Sequence, residues 1–277
     1  MADDGRVGSG ARELVRVGSA AAATFALVVL SSIVAPHLPM PERAAGLITF
    51  FGAAVVSAFF VAIVVRTTFS PHVVLIVDAV AVAALVVVAV TRGSSPLGAA
   101  VVDAALVSFG GATGAFVGAR IQHPGHLLPA CAVASCADIV SVLSPHGPTH
   151  ALATNERALS ILAVAFPVPG THAAAPSIGV GDLVFLALIL GGARAHALPF
   201  ARTVVLGFVG LLAAGVVAAF FEAPIPALPF IAVAVIAFVP GARTLRRKDR
   251  TVATIAIGAS LVIATWTIVR YALGSKT

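Results

Sequence analysis

The stretch HVVLIVDAVAVAALVVVAVT, residues 72–91, holds one charged side chain, Asp78, in an otherwise near-continuous apolar run. Its length matches the roughly 20 residues a helix needs to cross a hydrocarbon core about 30 Å thick. Similar runs lie at residues 17–36, 45–65, 97–119, 126–144, 177–194, 200–221, 225–242 and 251–271. The reading is an all-α, polytopic integral membrane protein with about nine transmembrane helices. Breaks between the runs are short and marked by Pro, Gly, His or Arg, as at Pro39-Met40-Pro41-Glu42-Arg43.

Composition points the same way along the whole chain. Of 277 residues, 60% are hydrophobic and 10% charged, and the mean hydropathy is +1.08. A soluble domain carries about 45–50% apolar and about 25% charged residues, so a soluble enzyme, a secreted scaffold and a disordered tail are excluded. The net charge of +6 does not point to nucleic acid, because the arginines stand singly between apolar runs. Cys131 and Cys136 lie five residues apart in one apolar run, too few for a disulfide framework or a zinc site. The first run follows Arg6, Arg12 and Arg16 and has signal-peptide-like flanks. Its length and the eight runs after it read as a retained helix.

The spans suggest a division into an N-terminal tail over 1–16, a four-helix membrane bundle over 17–120, a third region over 121–242, and a basic loop with an extra C-terminal helix over 243–277. Within the third part, residues 145–176 form the one long connection, rich in Pro and Gly. Its apolar segment Ala158–Val168 is too short to span and is expected to be re-entrant or interfacial. With nine spans, the N-terminal side collects twelve of the 17 basic residues, Arg243, Arg246, Arg247, Lys248 and Arg250 among them. Arg43, Arg92, Arg157, Arg270 and Lys276 fall on the other side. The positive-inside rule then puts the N-terminus in the cytoplasm and the long loop outside.

Acids at bilayer depth are costly and usually mark function. Asp3, Asp4, Glu13, Glu42, Glu156, Glu222 and Asp249 fall in tails or loops, whereas Asp78, Asp103, Asp138 and Asp182 fall inside apolar runs. Asp78 and Asp103 stand near the starts of their spans, within reach of headgroup water, and read as polar packing. Asp138 and Asp182 stand 44 positions apart on the two runs that flank the long loop. Two facing carboxyls in a poorly solvated site share a proton. Such a pair supplies a general base for water and a general acid for the leaving group. A proton or ion relay, or two unrelated buried acids, fits the same spacing.

Local sequence separates these readings. Gly179-Val180-Gly181-Asp182 sets two glycines just before the second acid, where backbone can approach closely. Pro226-Ala227-Leu228-Pro229 opens the eighth run, and its prolines interrupt helical hydrogen bonding. Unwound backbone at membrane depth is tolerated where it is buried in protein or lines a cavity. Alone, each is a weak pattern; an ordinary Pro-marked helix start would explain the second.

Together and in this order, the motifs resemble those of the presenilin and signal peptide peptidase family of intramembrane aspartyl proteases, with presenilin the nearer branch. The run Asp138-Ile139-Val140-Ser141-Val142-Leu143-Ser144-Pro145-His146-Gly147-Pro148 is similar to the presenilin segment that carries its first catalytic aspartate. Gly179–Phe185 resembles the GxGD helix, and Pro226–Pro229 the PAL motif with its following proline. The likeness covers roughly residues 125–240, a little under half the chain. It implies peptide-bond hydrolysis inside the bilayer, with no metal, no cofactor and no covalent intermediate. By position, Asp138 and Asp182 would be catalytic. Gly179 and Gly181 would shape the substrate's approach, and Pro226, Ala227 and Leu228 would support the site and contact substrate. Implied partners are transmembrane peptide or protein substrates and the lipid bilayer, without nucleic acid. Three departures stand beside the likeness. Ala137 replaces the family's usual aromatic, four spans rather than five precede the Asp138 run, and the loop orientation is opposite to presenilin's.

Other features read more simply. Gly110, Gly114 and Gly118 make a small-residue helix face suited to close packing. His123, His126, His146, His150 and His172 lie near the proposed catalytic region without metal-ligand spacing, and neither HExxH nor Gly-x-Ser-x-Gly occurs. A membrane location, of prokaryotic inner-membrane type, is expected. The remaining alternatives are a proton- or cation-coupled transporter using Asp138 and Asp182, and a catalytically weak helix binder.

Overall fold

A computed structural model describes residues 4–91, 95–145, 147–153, 155–221 and 223–274. Asp3, Arg92, His146, Glu222 and Lys276, all weighed above, lie outside the described residues. In chain order the elements are α1 (Asp4–Val34), α2 (Glu42–Val65), α3 (Pro71–Thr91), α4 (Pro96–Gly118), α5 (Leu127–Leu143), α6 (Pro148–Ala153) and α7 (Glu156–Leu162). After these come β1 (Ala163–Pro167), β2 (Ala174–Gly179), α8 (Val180–Ala195), α9 (Phe200–Phe221), α10 (Leu228–Phe238) and α11 (Arg250–Gly274). Among the described residues, seven helices are long and apolar enough to cross a membrane: α1 to α5, α9 and α11. The protein is therefore a predominantly helical chain of polytopic membrane type.

The two remaining expected spans are shorter as helices than as apolar runs. The run at 177–194 begins as strand, leaving α8 with 16 residues. The run at 225–242 yields the 11 residues of α10, about 16 Å of helix. Proline accounts for that shortening. Pro226 and Pro229 restrict its start, and Val239 is extended at ψ 114° in front of Pro240.

The long connection departs most from expectation. In place of a re-entrant segment, Ala158–Val168 divides into the end of α7 and strand β1. β1 pairs antiparallel with β2, from Ala163↔Gly179 to Pro167↔Ala174, with a bulge between Val164 and Ala165. The reversal is built on Pro169-Gly170: Gly170 takes φ +79°, and the Val168 N–H donates to the Ala173 carbonyl at 2.9 Å. The expected all-α fold thus carries one hairpin, and β2 runs directly into α8.

The chain forms two compact units. The first comprises Met1–Arg120 and Leu159–Gly191. At its centre is α4, packed against α1, α2, α3 and β1. Ser95 caps α4 by accepting the Gly98 N–H at 3.1 Å, and Pro96 occupies its first turn. The glycine face of α4 receives α8: a methyl group at Gly110 would sit 2.7 Å from Leu183 Cβ, and one at Gly114 would strike the Val184 carbonyl. Without a hydrophobic force between helices in lipid, such close van der Waals approach is what holds them. Asp78 of α3 is satisfied by the Thr113 hydroxyl of α4, which lies 3.0 and 2.9 Å from its two carboxyl oxygens. Asp103 does not reach headgroup water; its residue is fully buried.

The second unit comprises Ile121–Ala158 and Gly192–Thr277. Here α5 packs on α10 and α11, and α9 packs on α10. Large apolar side chains face outward on α3, α9 and α11, including Val90, Phe220 and Val262, as a lipid-facing surface requires. Four buried hydroxyls, of Thr24, Thr49, Ser108 and Thr203, each donate to the carbonyl four residues earlier, whereas those of Ser57, Thr67 and Ser135 have no hydrogen-bond partner among the described residues.

Replacing Gly114 with Val should destabilise the protein by about 1–3 kcal/mol through overpacking against α8. Gly258→Ala, where a methyl group meets nothing within 4 Å, should leave the melting temperature unchanged or slightly raised. Thermal denaturation in detergent checks both.

Candidate active site

Asp138 lies in the last third of α5, half-buried, with Ala137 exposed beside it. Its partner comes from the Pro-Ala-Leu-Pro run. The Leu228 N–H donates to Asp138 Oδ2 at 2.9 Å, joining residues 90 apart in the chain. Helix starts leave amide donors without intrahelical partners. At this one Ala227 is the capping residue and has no side-chain acceptor. Pro229 contributes no N–H, while the Ala227 carbonyl accepts from Phe230 at 3.1 Å and Ile231 at 3.3 Å. The carboxylate of α5 therefore caps α10 from outside, and a negative charge suits the positive end of a helix dipole. Pro226, Ala227 and Leu228 all stand at that start, half-buried.

Asp182 occupies the first turn of α8 in the first unit, half-buried. The Gly179 N–H donates to its Oδ2 at 3.2 Å, so the acid closes the junction between β2 and α8. A carboxylate three residues inside a helix that reaches back to the preceding amide is a capping arrangement. A methyl group at Gly179 would meet Asp182 Oδ2 at 3.5 Å, and one at Gly181 would meet nothing within 4 Å. Packing alone therefore does not demand glycine at either position.

Each acid is thus held by the backbone of a motif that drew attention in the sequence. Asp138 with Pro226, Ala227 and Leu228 belongs to the second unit, and Asp182 with Gly179 and Gly181 to the first. No family model, no curated protein and no solved structure matches this chain.

Two groupings were not visible in the sequence. Asp103 Oδ1 accepts the Ala165 N–H at 2.8 Å, tying α4 to the hairpin. The available signal was the Pro169-Gly170 dipeptide between two apolar segments, which marks a turn joining strands. The other lies at the start of α5. His126 Nε2 pairs with Asp249 Oδ2 at 3.1 Å, and the His123 and His126 rings stand 5.8 Å apart. His123 Nδ1 accepts the Gly125 N–H at 3.1 Å, and His196 Nε2 lies 2.7 Å from the Ile121 carbonyl. Among the described residues, no group of three or more His, Cys, Asp or Glu is arranged to hold a metal ion. His150 and His172 are exposed.

Partial burial, with the nearby charges of Arg246, His126 and His196, holds the His123 imidazole below its ordinary value of 6.5; Asp249 acts in the opposite sense. Protonation would also remove the acceptor for Gly125. With its folded pKa depressed, the stability contributed by neutral His123 is present above pH 6.5 and is lost as pH falls through the folded value. His123→Gln should therefore flatten the fall in melting temperature between about pH 7 and pH 5. A pH series of thermal melts measures it, and an unchanged slope would remove His123 from the explanation.

Proposed function

We propose that this protein is an intramembrane aspartyl endopeptidase of presenilin-like type, hydrolysing peptide bonds of transmembrane segments. The observation that carries the reading is the Leu228 N–H donated to Asp138. A Pro-Ala-Leu-Pro run that only started a helix would need no acid from a distant helix. Its backbone is instead directed at one of the two carboxyls proposed to act on substrate. The Gly179–Asp182 hydrogen bond adds support at the second motif, as does the open space at Gly181.

In the proposed reaction, one carboxylate takes a proton from water as it attacks the scissile carbonyl. The other, protonated, donates to the leaving nitrogen, and the pair is reset by proton exchange. The assignment of base and acid belongs to the pair rather than to either residue. Substrate must unwind locally, because a helix hides its carbonyls in its own hydrogen bonds. On this reading α8 and α10 count as spans, giving nine. The substrates are membrane-embedded peptides or proteins, and the location is a prokaryotic inner membrane. No metal or other cofactor takes part.

The test is cleavage of a fluorogenic single-span peptide by the purified protein in liposomes between pH 4 and pH 8. Asp138→Asn and Asp182→Asn should each lower kcat by at least ~10²-fold, the scale of a lost acid–base group. A transition-state-analogue inhibitor of aspartyl proteases should block the wild type. Cleavage unaffected by either substitution would overturn the assignment. Ion flux altered by the same substitutions, with no cleavage in the wild type, would favour a relay instead.

A further inference from the structure

Asp103, on α4 of the first unit, is used by no step above, and its surroundings are unusual. It is fully buried, its Oδ1 accepts the Ala165 N–H at 2.8 Å, and its Oδ2 is buried with no hydrogen-bond partner among the described residues. A carboxyl is an expensive way to satisfy one amide inside an apolar bundle. What distinguishes this amide is its place in the hairpin. Ala165 stands at the bulge, opposite Pro176, which has no N–H to return. Two ladder pairs further on, Val164↔Ile178 and Ala163↔Gly179, the sheet ends. Gly179 then gives its own N–H to Asp182.

From this continuity we infer that Asp103 is a positioning residue for Asp182: it fixes the register of β1 and so the place of the β2–α8 turn that holds the second carboxyl. This rests on the proposed proteolysis for its catalytic meaning, though not for its structural step. Register in a two-stranded hairpin is otherwise weakly specified. A slip of one residue would turn Ile178, now buried, to the opposite face and move the Gly179 amide away from Asp182. Other ties to the hairpin act at its far end, where Thr49 Oγ1 lies 3.3 Å from the Pro167 carbonyl and the Gly170 N–H donates to Ala35 at 2.8 Å. Asp103 is the side chain that holds the strand segment next to Gly179. Displacing a reacting group by about 1 Å costs on the order of 10²-fold in rate, so the effect belongs in kcat.

Asp103→Ala, Asp103→Asn and Ala165→Pro would be compared with the wild type and with Asp78→Asn, which loses a polar partner in the same unit away from the hairpin. Steady-state cleavage of the single-span peptide gives kcat and KM, and mass spectrometry follows amide hydrogen exchange over residues 163–182. Asp103→Ala and Ala165→Pro should lower kcat by ~10–100-fold with KM unchanged and speed exchange at Gly179 by at least ~10-fold. Asp103→Asn keeps an acceptor oxygen and should stay within ~3-fold of the wild type in both readouts, as should Asp78→Asn. Should Asp103→Ala fail to fold, Ala165→Pro and Asp103→Asn decide. Unchanged exchange at Gly179, faster exchange with unchanged kcat, or equal damage from Asn and Ala would each overturn the inference. A wild type that cleaves nothing would instead defeat the proposed proteolysis, and Gly179 exchange would still decide whether Asp103 sets the turn.

Discussion

Backbone that leaves the regular helix inside a hydrocarbon layer must find its hydrogen bonds within the protein, since no water is there to supply them. An amide left unpaired in apolar surroundings costs roughly 2–7 kcal/mol. Among the described residues, four places give a backbone amide to a carboxyl: Leu228 to Asp138, Gly179 to Asp182, Ala165 to Asp103 and Ser70 to the buried Glu13. Each is an interruption of regular structure, at a proline-bounded helix start, a strand-to-helix junction, a β-bulge and the turn before α3. Asp78 instead pairs with the Thr113 side chain between two uninterrupted helices. These acids therefore divide by what they hold: four hold irregular backbone and one bridges regular helices.

That division bears on function, because an enzyme that cuts within the membrane must keep non-helical backbone near its substrate. A chain built only of uninterrupted helices would offer no amide or carbonyl to an unwound peptide. Here the irregular segments find acceptors within the protein. The same carboxyls that stabilise the interruptions are the groups proposed for the chemistry at Asp138 and Asp182. Removing either acid should therefore be felt first by its own motif, as a loosened start of α10 or a frayed junction before α8.

How far the fold could be read from the residues depended on how each segment announces itself. The run at 72–91 became α3, Pro71–Thr91, because length and composition alone decide an uninterrupted span. The run at 225–242 overstated its helix, because apolarity does not register what Pro226, Pro229 and Pro240 do to hydrogen bonding. Ala158–Val168 became part helix and part strand where a re-entrant or interfacial segment was expected, because a short apolar run has no period that separates strand from helix. The turn at Pro169-Gly170 is the local cue that marks the strand's end. The site was legible as motifs but not as contacts. Nothing around Leu228 names Asp138 as its acceptor, and nothing near Asp103 names Ala165. Those pairings follow from helix packing and hairpin register, which one chain's sequence does not display.

The Pro-Ala-Leu-Pro run illustrates how a hydrogen-bond account can turn a composition into a mechanism. An ordinary helix start places Ser, Thr, Asp or Asn at the capping position to take the first amides locally. Here Ala227 offers no side-chain acceptor, and Pro229 removes one of the donors that such a cap would serve. The Ala227 carbonyl accepts the amides of Phe230 and Ile231. What remains at the tip are the Leu228 and Ala227 amides, on half-buried residues, and both turn to the Asp138 carboxyl brought by another helix. A polar side chain in place of Ala227 would cap the amides one turn in, where Pro229 has none to give, and so would leave the Leu228 donor to the acid. The coupling therefore comes from the prolines: Pro226 and Pro229 bracket two amides that have no acceptor in their own helix.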